Sequence, residues 1–280
     1  MRRLIATTAA ALVLASSAIA AEVASAPVAL AASPGWITTC PQSAPDHVAD
    51  PIGGAMHVHR FVGAHELLDT STPATMRASG TSCLTRGDSS GSWVPQVLED
   101  GQPVATGPKG TLFYYRRKGA PAGVQVQPFP DGLKFLVGNA HATSQADNPA
   151  IGAGHITWKC GPGSGTETPA PPAQCSSGVL VAVFILPNCG TGALDSADHM
   201  SHLAYPVGSS CPASHPVVFP RIQAFWRFQV GTDPINLSLA SGPYYTMHMD
   251  YLNAWDQAAL QSLIARCING MVDCGTDPAP

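Results

Sequence analysis

The sequence predicts a mainly β protein, a β-sandwich or jelly-roll-like single domain with one C-terminal helix. Three observations lead there. Glycine and proline are abundant, at 27 and 26 of 280 residues, and they fall between short apolar runs, as turn residues fall between strands. Several of those runs alternate apolar and polar residues with a period of two. Only one segment, near the C-terminus, repeats its apolar residues at helical spacing.

In chain order, the expected strands cover 55–62, 92–98, 111–116, 133–137, 155–159, 179–186 and 223–230. The run 179–186 is continuously apolar, which predicts a strand buried on both faces. The helix is expected over 253–268, with Asp256 in its first turn and Leu260, Leu263, Ile264 and Cys267 on its apolar stripe. Trp93, Trp158, Trp226 and Trp255 lie in or beside these elements, where burial is the default. The Gly/Pro-rich stretch 161–174 reads as a surface loop whose ends Cys160 and Cys175 hold.

The N-terminus carries an export pattern. Arg2 and Arg3 precede an uncharged run over 4–18, and Ala18-Ile19-Ala20 offers a small-x-small cleavage site. The expected division is a signal peptide over 1–20, a flexible N-terminus over 21–35, one secreted domain over 36–275 and a tail over 276–280. The even count of 8 cysteines fits an oxidising, extracellular compartment. There is no C-x-x-C pair for a thiolate zinc site. All the cysteines are expected to be bonded. Cys175 cannot reach Cys189 if an extended strand separates them, whereas Cys267 can fold back onto Cys274. With 18 acidic against 14 basic residues, a formal charge of −4 and no Lys/Arg block, nucleic acid is a poor partner. After signal cleavage no membrane contact is expected, and the protein reads as a monomer.

Histidine supplies the functional signal. His57 and His59 are two residues apart, so on a strand both imidazoles leave one face. His199 and His202 are three apart, one face of a helical turn, with Asp198 beside them. His248 and Asp250 repeat the two-residue spacing with an imidazole and a carboxylate. An imidazole beside a carboxylate has its tautomer fixed and its basicity raised. Tyr205 follows closely enough to line the same cleft. His47, His65, His141, His155 and His215 read as structural. Gly87-Asp88-Ser89-Ser90-Gly91 matches a nucleophile elbow by letters, but a strand follows where that motif needs a helix. No carboxylate pair of glycosidase type declares itself.

Several runs, taken in order, resemble a known family: GAMHVHRFVG at 54–63, TSC at 81–83, SWVP at 92–95, DSADH at 195–199 continuing through HLAYP at 202–206, CP at 211–212 with HPV at 215–217, and HMDYLNAW at 248–255. Together they resemble the secreted fungal and actinobacterial family catalogued as domain of unknown function nineteen ninety-six. The resemblance spans Trp36 to Cys274. It implies a cell-wall or polysaccharide-related protein and supplies no reaction. Arg60 stands where the family has Asp after its His-x-His, removing one possible metal-binding carboxylate. Met249 and Tyr251 replace the Gly and Phe of a His-Gly-Asp-Phe run.

The expected function is glycan cleavage, by hydrolysis or β-elimination, on a polysaccharide or cell-wall glycan. The expected catalytic set is His57, His59, Asp198, His199, His202, Tyr205, His248 and Asp250. If one divalent metal takes part, His57, His59, His199 and His202 are its expected ligands. The alternative is a non-catalytic carbohydrate- or wall-binding protein whose histidines are structural.

Overall fold

The computed structural model describes residues 34–280 except Gly54, Ala55, Ser164 and Pro234. The signal-peptide expectation for 1–20 and most of the 21–35 segment lie outside the described residues.

The strands follow the chain as β1 (Gly35–Cys40), β2 (His59–Gly63), β3 (Gly91–Pro95), β4 (Val97–Glu99), β5 (Gln102–Pro103), β6 (Ala105–Thr106), β7 (Thr111–Arg116), β8 (Lys134–Gly138) and β9 (Ile156–Cys160). They continue as β10 (Val179–Ile185), β11 (Cys189–Gly190), β12 (Leu203–Ala204), β13 (Val217–Val218), β14 (Arg221–Gln229), β15 (Leu237–Leu239), β16 (His248–Leu252) and β17 (Asp273–Thr276). The helices are α1 (Pro73–Ser79), α2 (Pro149–Gly152) and α3 (Gln257–Leu263), the last running on as a π-helix over Ile264–Asn269.

One large sheet has the order β17-β1-β7-β14-β10-β9, with β6 also paired to β14; a second has the order β2-β3-β16-β8. The main core takes Trp36, Phe113, Tyr115, Ile222 and Trp226 from the first sheet, and Val62, Val94, Phe135, Met249 and Tyr251 from the second. These are two sheets packed over one apolar layer, a β-sandwich. Two small three-stranded sheets, β15-β4-β5 and β12-β11-β13, complete the body.

Most expected strands form within a few residues of their predicted limits. The run 179–186 is buried on both faces as predicted: Leu180, Ala182 and Phe184 enter the main core, while Val179, Val181 and Val183 make a separate cluster with Phe225. The first strand is a correction. It begins at His59, and His57 lies in a bend before it. The C-terminal helix is also later than predicted, because Asp256 is its N-cap and accepts from the Ala259 N–H at 2.9 Å. Helix α1 was not predicted, although Thr72 and Thr75 form a capping box ahead of it and proline opens it.

All 8 cysteines pair: Cys40–Cys83, Cys160–Cys175, Cys189–Cys211 and Cys267–Cys274. The Cys267–Cys274 bond and the stapled 161–174 loop are as expected. Among the described residues no helix is long and apolar enough to cross a membrane. Both features are compatible with an extracellular protein.

The second sheet positions the site. Along β16, Met249 and Tyr251 point into the sandwich, so His248 and Asp250 point outward. The register pairs Asp250 with Trp93 and with Leu136, and His248 with Gly138. Gly138 is needed there: its φ is +104°, and a Cβ would meet the Met247 carbonyl oxygen at 2.5 Å and the His248 Cα at 2.8 Å. On β2, Val62 faces the main core while Phe61 joins Ala49, Ile52, Leu67, Met76 and Trp93 on the outer face. His59, two residues before Phe61, shares that outer face.

Candidate functional site

The segment from His47 to Ile52 lies along β2 and roofs part of the outer face. His47 and His59 exchange backbone hydrogen bonds of 3.2 and 2.9 Å, and the His47 ring stacks on Phe61 at 4.3 Å. The Ala49 carbonyl then lies 3.0 Å from His59 Nδ1. Across the sheet, the Thr246 carbonyl lies 2.8 Å from His248 Nδ1. The two rings meet at their other nitrogens, with His59 Nε2 3.3 Å from His248 Nε2.

His57 completes a trio. Its ring centroid is 4.3 Å from that of His59 and 5.1 Å from that of His248. One ligating atom from each of the three lies within 4.8 Å of the others. Asp250 Oδ2 stands 3.9 Å from His248 Nε2. Asp250 Oδ2 and His57 Nε2 are both buried without a hydrogen-bond partner. The trio therefore has the spacing to hold a metal ion. Among the described residues a second close grouping, Cys40, Cys83 and Asp88, offers no thiolate because its cysteines form a disulfide.

Burial dominates the electrostatics. It pushes the His59 imidazole down to about 3, helped by the neighbouring His57, and the His248 imidazole down to about 3, helped by His59. The His57 imidazole is lowered chiefly by burial. Burial, and then the charge of Asp50, raise the Asp250 carboxyl well above the usual range. All three imidazoles are thus neutral near neutral pH, the form in which histidine ligates metals.

His57 and His248 open into a cavity of about 340 Å³, whose wall includes Asp50, Asn139, His141, His199, Ser241 and Asp250. His199 reaches it from the other edge of the sheet. The Leu136 N–H donates to the His199 carbonyl at 2.9 Å, and His199 takes a left-handed backbone with φ of 56°. His199 Nδ1 is 2.8 Å from Asp195 Oδ1, and Lys134 Nζ is 3.1 Å from Asp195 Oδ2. Burial raises the Asp195 carboxyl, but the bonds to His199 and Lys134 outweigh it and leave the group below its ordinary value.

Of the expected residues, the structure brings His57, His199, His248 and Asp250 to this cavity, with His59 buried against His248. It does not bring Asp198, His202 or Tyr205. The segment 197–202 is a turn, not a helix, so the three-residue spacing does not align His199 with His202. His202 Nδ1 binds Ser196 Oγ at 2.9 Å, with its Nε2 enclosed. The exposed Asp198 caps the turn, held below its ordinary value first by the Ser201 N–H and then by Ser196 Oγ. Tyr205 donates to the Ile185 carbonyl at 2.9 Å and stacks on His155 in a separate apolar cleft with Met200 and Leu203; burial pushes its phenol up.

Sequence reasoning missed Asp50, His141 and Asp195. Asp50 sits in no histidine-bearing repeat and His141 stands alone in a loop, so no local signal separates them from surface residues; Asp195 opens the run DSADH at 195–199, four residues before the ring it orients. Arg60 is reinterpreted: it turns inward, pairs with Asp46 at 2.7 Å and lies 5.8 Å above the Phe228 ring of the opposite sheet. A carboxylate at position 60 would therefore not face the imidazoles. Ser89 and Ser90 are buried, and Ser90 Oγ lies in a network with Asn253 and Tyr251, which fits no nucleophile elbow.

A family model described as Domain of unknown function (DUF1996) matches residues 46–255. No curated protein and no solved structure matches the chain.

Proposed function

The chain belongs to the DUF1996 family, and from that premise we propose that it is an extracellular glycan-cleaving protein, working by hydrolysis in the cavity between His57, His199 and His248. The observation that carries this reading is the setting of His199. Its Nδ1 is committed to Asp195, which Lys134 holds from the other side. The nitrogen left for proton transfer is Nε2, on a side chain lining the cavity. An imidazole oriented in this way by a carboxylate is equipped to act as a general base.

The wall narrows the substrate class. Among its residues are Asp50, Asn139 and Ser241, and none is lysine or arginine. A phosphorylated or uronate-bearing chain would find no cationic side chain there, so a neutral glycan fits better. No lysine or arginine of that wall can neutralise a substrate carboxylate, as β-elimination requires, so hydrolysis is the step that these side chains by themselves support. In hydrolysis His199 accepts a proton from the attacking water as that oxygen bonds the anomeric carbon. The departing sugar oxygen takes a proton as the glycosidic bond breaks, and His141, in the same wall, is its carrier. The four disulfides fit an extracellular setting. Polysaccharide is the proposed partner, with the protein acting as a monomer and touching neither nucleic acid nor membrane.

The test is a panel of neutral polysaccharides assayed for new reducing ends. At least one is expected to be cleaved, with His199→Ala lowering kcat roughly 10²–10⁴-fold and Asp195→Asn acting in the same direction. Glycan that slows the protein in affinity electrophoresis while no reducing end forms would replace this reading with the wall-binding one.

A further inference from the structure

We propose that His57, His59 and His248 form a mononuclear site for a first-row transition-metal dication of the zinc or copper type, with Asp250 as the adjoining carboxylate. This goes beyond the glycan reading and stands without it. It also replaces the ligand set expected from spacing, exchanging His199 and His202 for His248.

The first argument is a count of protons. The rings of His59 and His248 make three close contacts in series: Ala49 carbonyl to Nδ1, Nε2 to Nε2, and Nδ1 to the Thr246 carbonyl. Each contact needs one proton to be a hydrogen bond. Two neutral imidazoles supply only two. A third proton would make an imidazolium in a buried position beside two further imidazoles, where burial and like charge both oppose it. The carbonyls can only accept, so each claims an Nδ1–H, and the two Nε2 lone pairs are left pointing at each other. A cation between them removes that repulsion.

The second argument is distance. Two imidazole nitrogens bound to one tetrahedral zinc at ~2.0–2.1 Å lie roughly 3.3–3.4 Å apart, and here they are 3.3 Å apart. A water bridging them would hold them about 4.5 Å apart, given hydrogen bonds of ~2.8 Å. The observed spacing is too short for that.

The third argument is what else points into the site. His57 Nε2 and Asp250 Oδ2 are buried and unpartnered, and Asp250 is 2% exposed. A third imidazole nitrogen and a carboxyl oxygen, which would give up its proton on binding, are the donors a dication would use. The Nδ1–carbonyl bonds are the outer partners that orient metal-bound imidazoles. Three nitrogen donors select zinc or copper over calcium or magnesium, which take oxygen.

The full-length protein, stripped with chelator and dialysed, should be offered Zn²⁺, Cu²⁺, Ca²⁺ and Mg²⁺ in turn and analysed for bound element. About one Zn²⁺ or Cu²⁺ per chain is expected, with no comparable retention of Ca²⁺ or Mg²⁺. Co²⁺ loading should give the visible bands of a tetrahedral site. His59→Ala and His248→Ala should abolish uptake. These positions are buried, so His57→Ala, at the half-buried bend, is the variant that keeps its fold and should weaken affinity by at least the roughly 10–100-fold seen when an outer partner is lost. His202→Ala should bind as the wild type does. Failure to take up either ion, or uptake unchanged in all three ligand variants, would overturn the site. One bound ion with no glycan cleaved leaves this site standing and removes the glycan reading. Glycan cleavage by protein that takes up no ion does the reverse.

Discussion

Asp88 is a carboxyl enclosed by protein. The Ser90 N–H donates to it at 3.1 Å and the Tyr115 hydroxyl at 3.4 Å, yet burial outweighs both and raises it from 3.8 to about 7. A carboxyl raised on folding stabilises the protein while protonated. As pH rises from 3.8 to about 7, the unfolded chain loses this proton first, and the contribution of Asp88 disappears. Stability measured by denaturant titration should therefore fall across that window in the wild type relative to Asp88→Asn. Parallel pH curves for the two proteins would contradict the assignment. Arg60 is buried too, but Asp46 meets it through two of its nitrogens, at 3.1 and 2.7 Å, and Gln96 also donates to that carboxylate. At this scale His57, His59, His248 and Asp250 were legible, because imidazoles and carboxylates spaced two apart announce themselves. The parts of Asp50 and His141 were not, because each depends on where a distant segment lies, and that of Asp195 was not, because only the turn over 197–202 brings it to the His199 ring.

The C-terminal helix shows how capping sets an element. The apolar spacing of Leu260, Leu263, Ile264 and Cys267 was enough to predict it, and each of these is buried. Its start is set by Asp256, whose side chain satisfies the Ala259 N–H; the stretch 253–255 lies outside the helix, and Trp255 joins the core. Asp256→Ala should lower stability by about 1 kcal/mol without changing the fold, read as a shift in denaturant midpoint at constant slope. An unchanged midpoint would show that the cap contributes nothing. Helix α1 carries as clear a start signal in Thr72-Pro73-Ala74-Thr75, but with only Met76 buried in it no apolar period marks its length. Strand β16 is the opposite case: its five residues are all buried, so the alternation that sends His248 and Asp250 one way and Met249 and Tyr251 the other emerges only from packing on both faces.

The four disulfides tie the sandwich together over different chain lengths. Cys40–Cys83 closes a separation of 43 residues and Cys267–Cys274 one of 7. If the bonds act by restricting the unfolded chain, removing the first should cost ~4 kcal/mol and the second ~2.4 kcal/mol. Paired Cys→Ala variants compared by denaturant unfolding would test this; equal losses would point to native-state strain or packing as the stronger effect. The candidate site is also a whole-molecule property. Its residues come from the segment entering β2, from β16, and from a loop docked against β8, and His59 and His248, 189 residues apart in the chain, have ring nitrogens 3.3 Å apart.

The sequence by itself determined the β-rich class, the apolar strand buried on both sides, the terminal helix and the capacity for full cysteine pairing. These depend on local period, turn chemistry and count, which a linear chain carries in full. It also pointed to the histidine-bearing segments that matter. Only the tertiary structure decided which imidazoles meet. His199 and His202 share a turn in the sequence yet face different surroundings, because the backbone of His199 is left-handed and no helix aligns them. His59 and His248 share nothing in sequence but come out on one face of one sheet, because register and pleat are set by pairing with β3 and β8. Side-chain direction follows from that pairing, and no local stretch of residues encodes it.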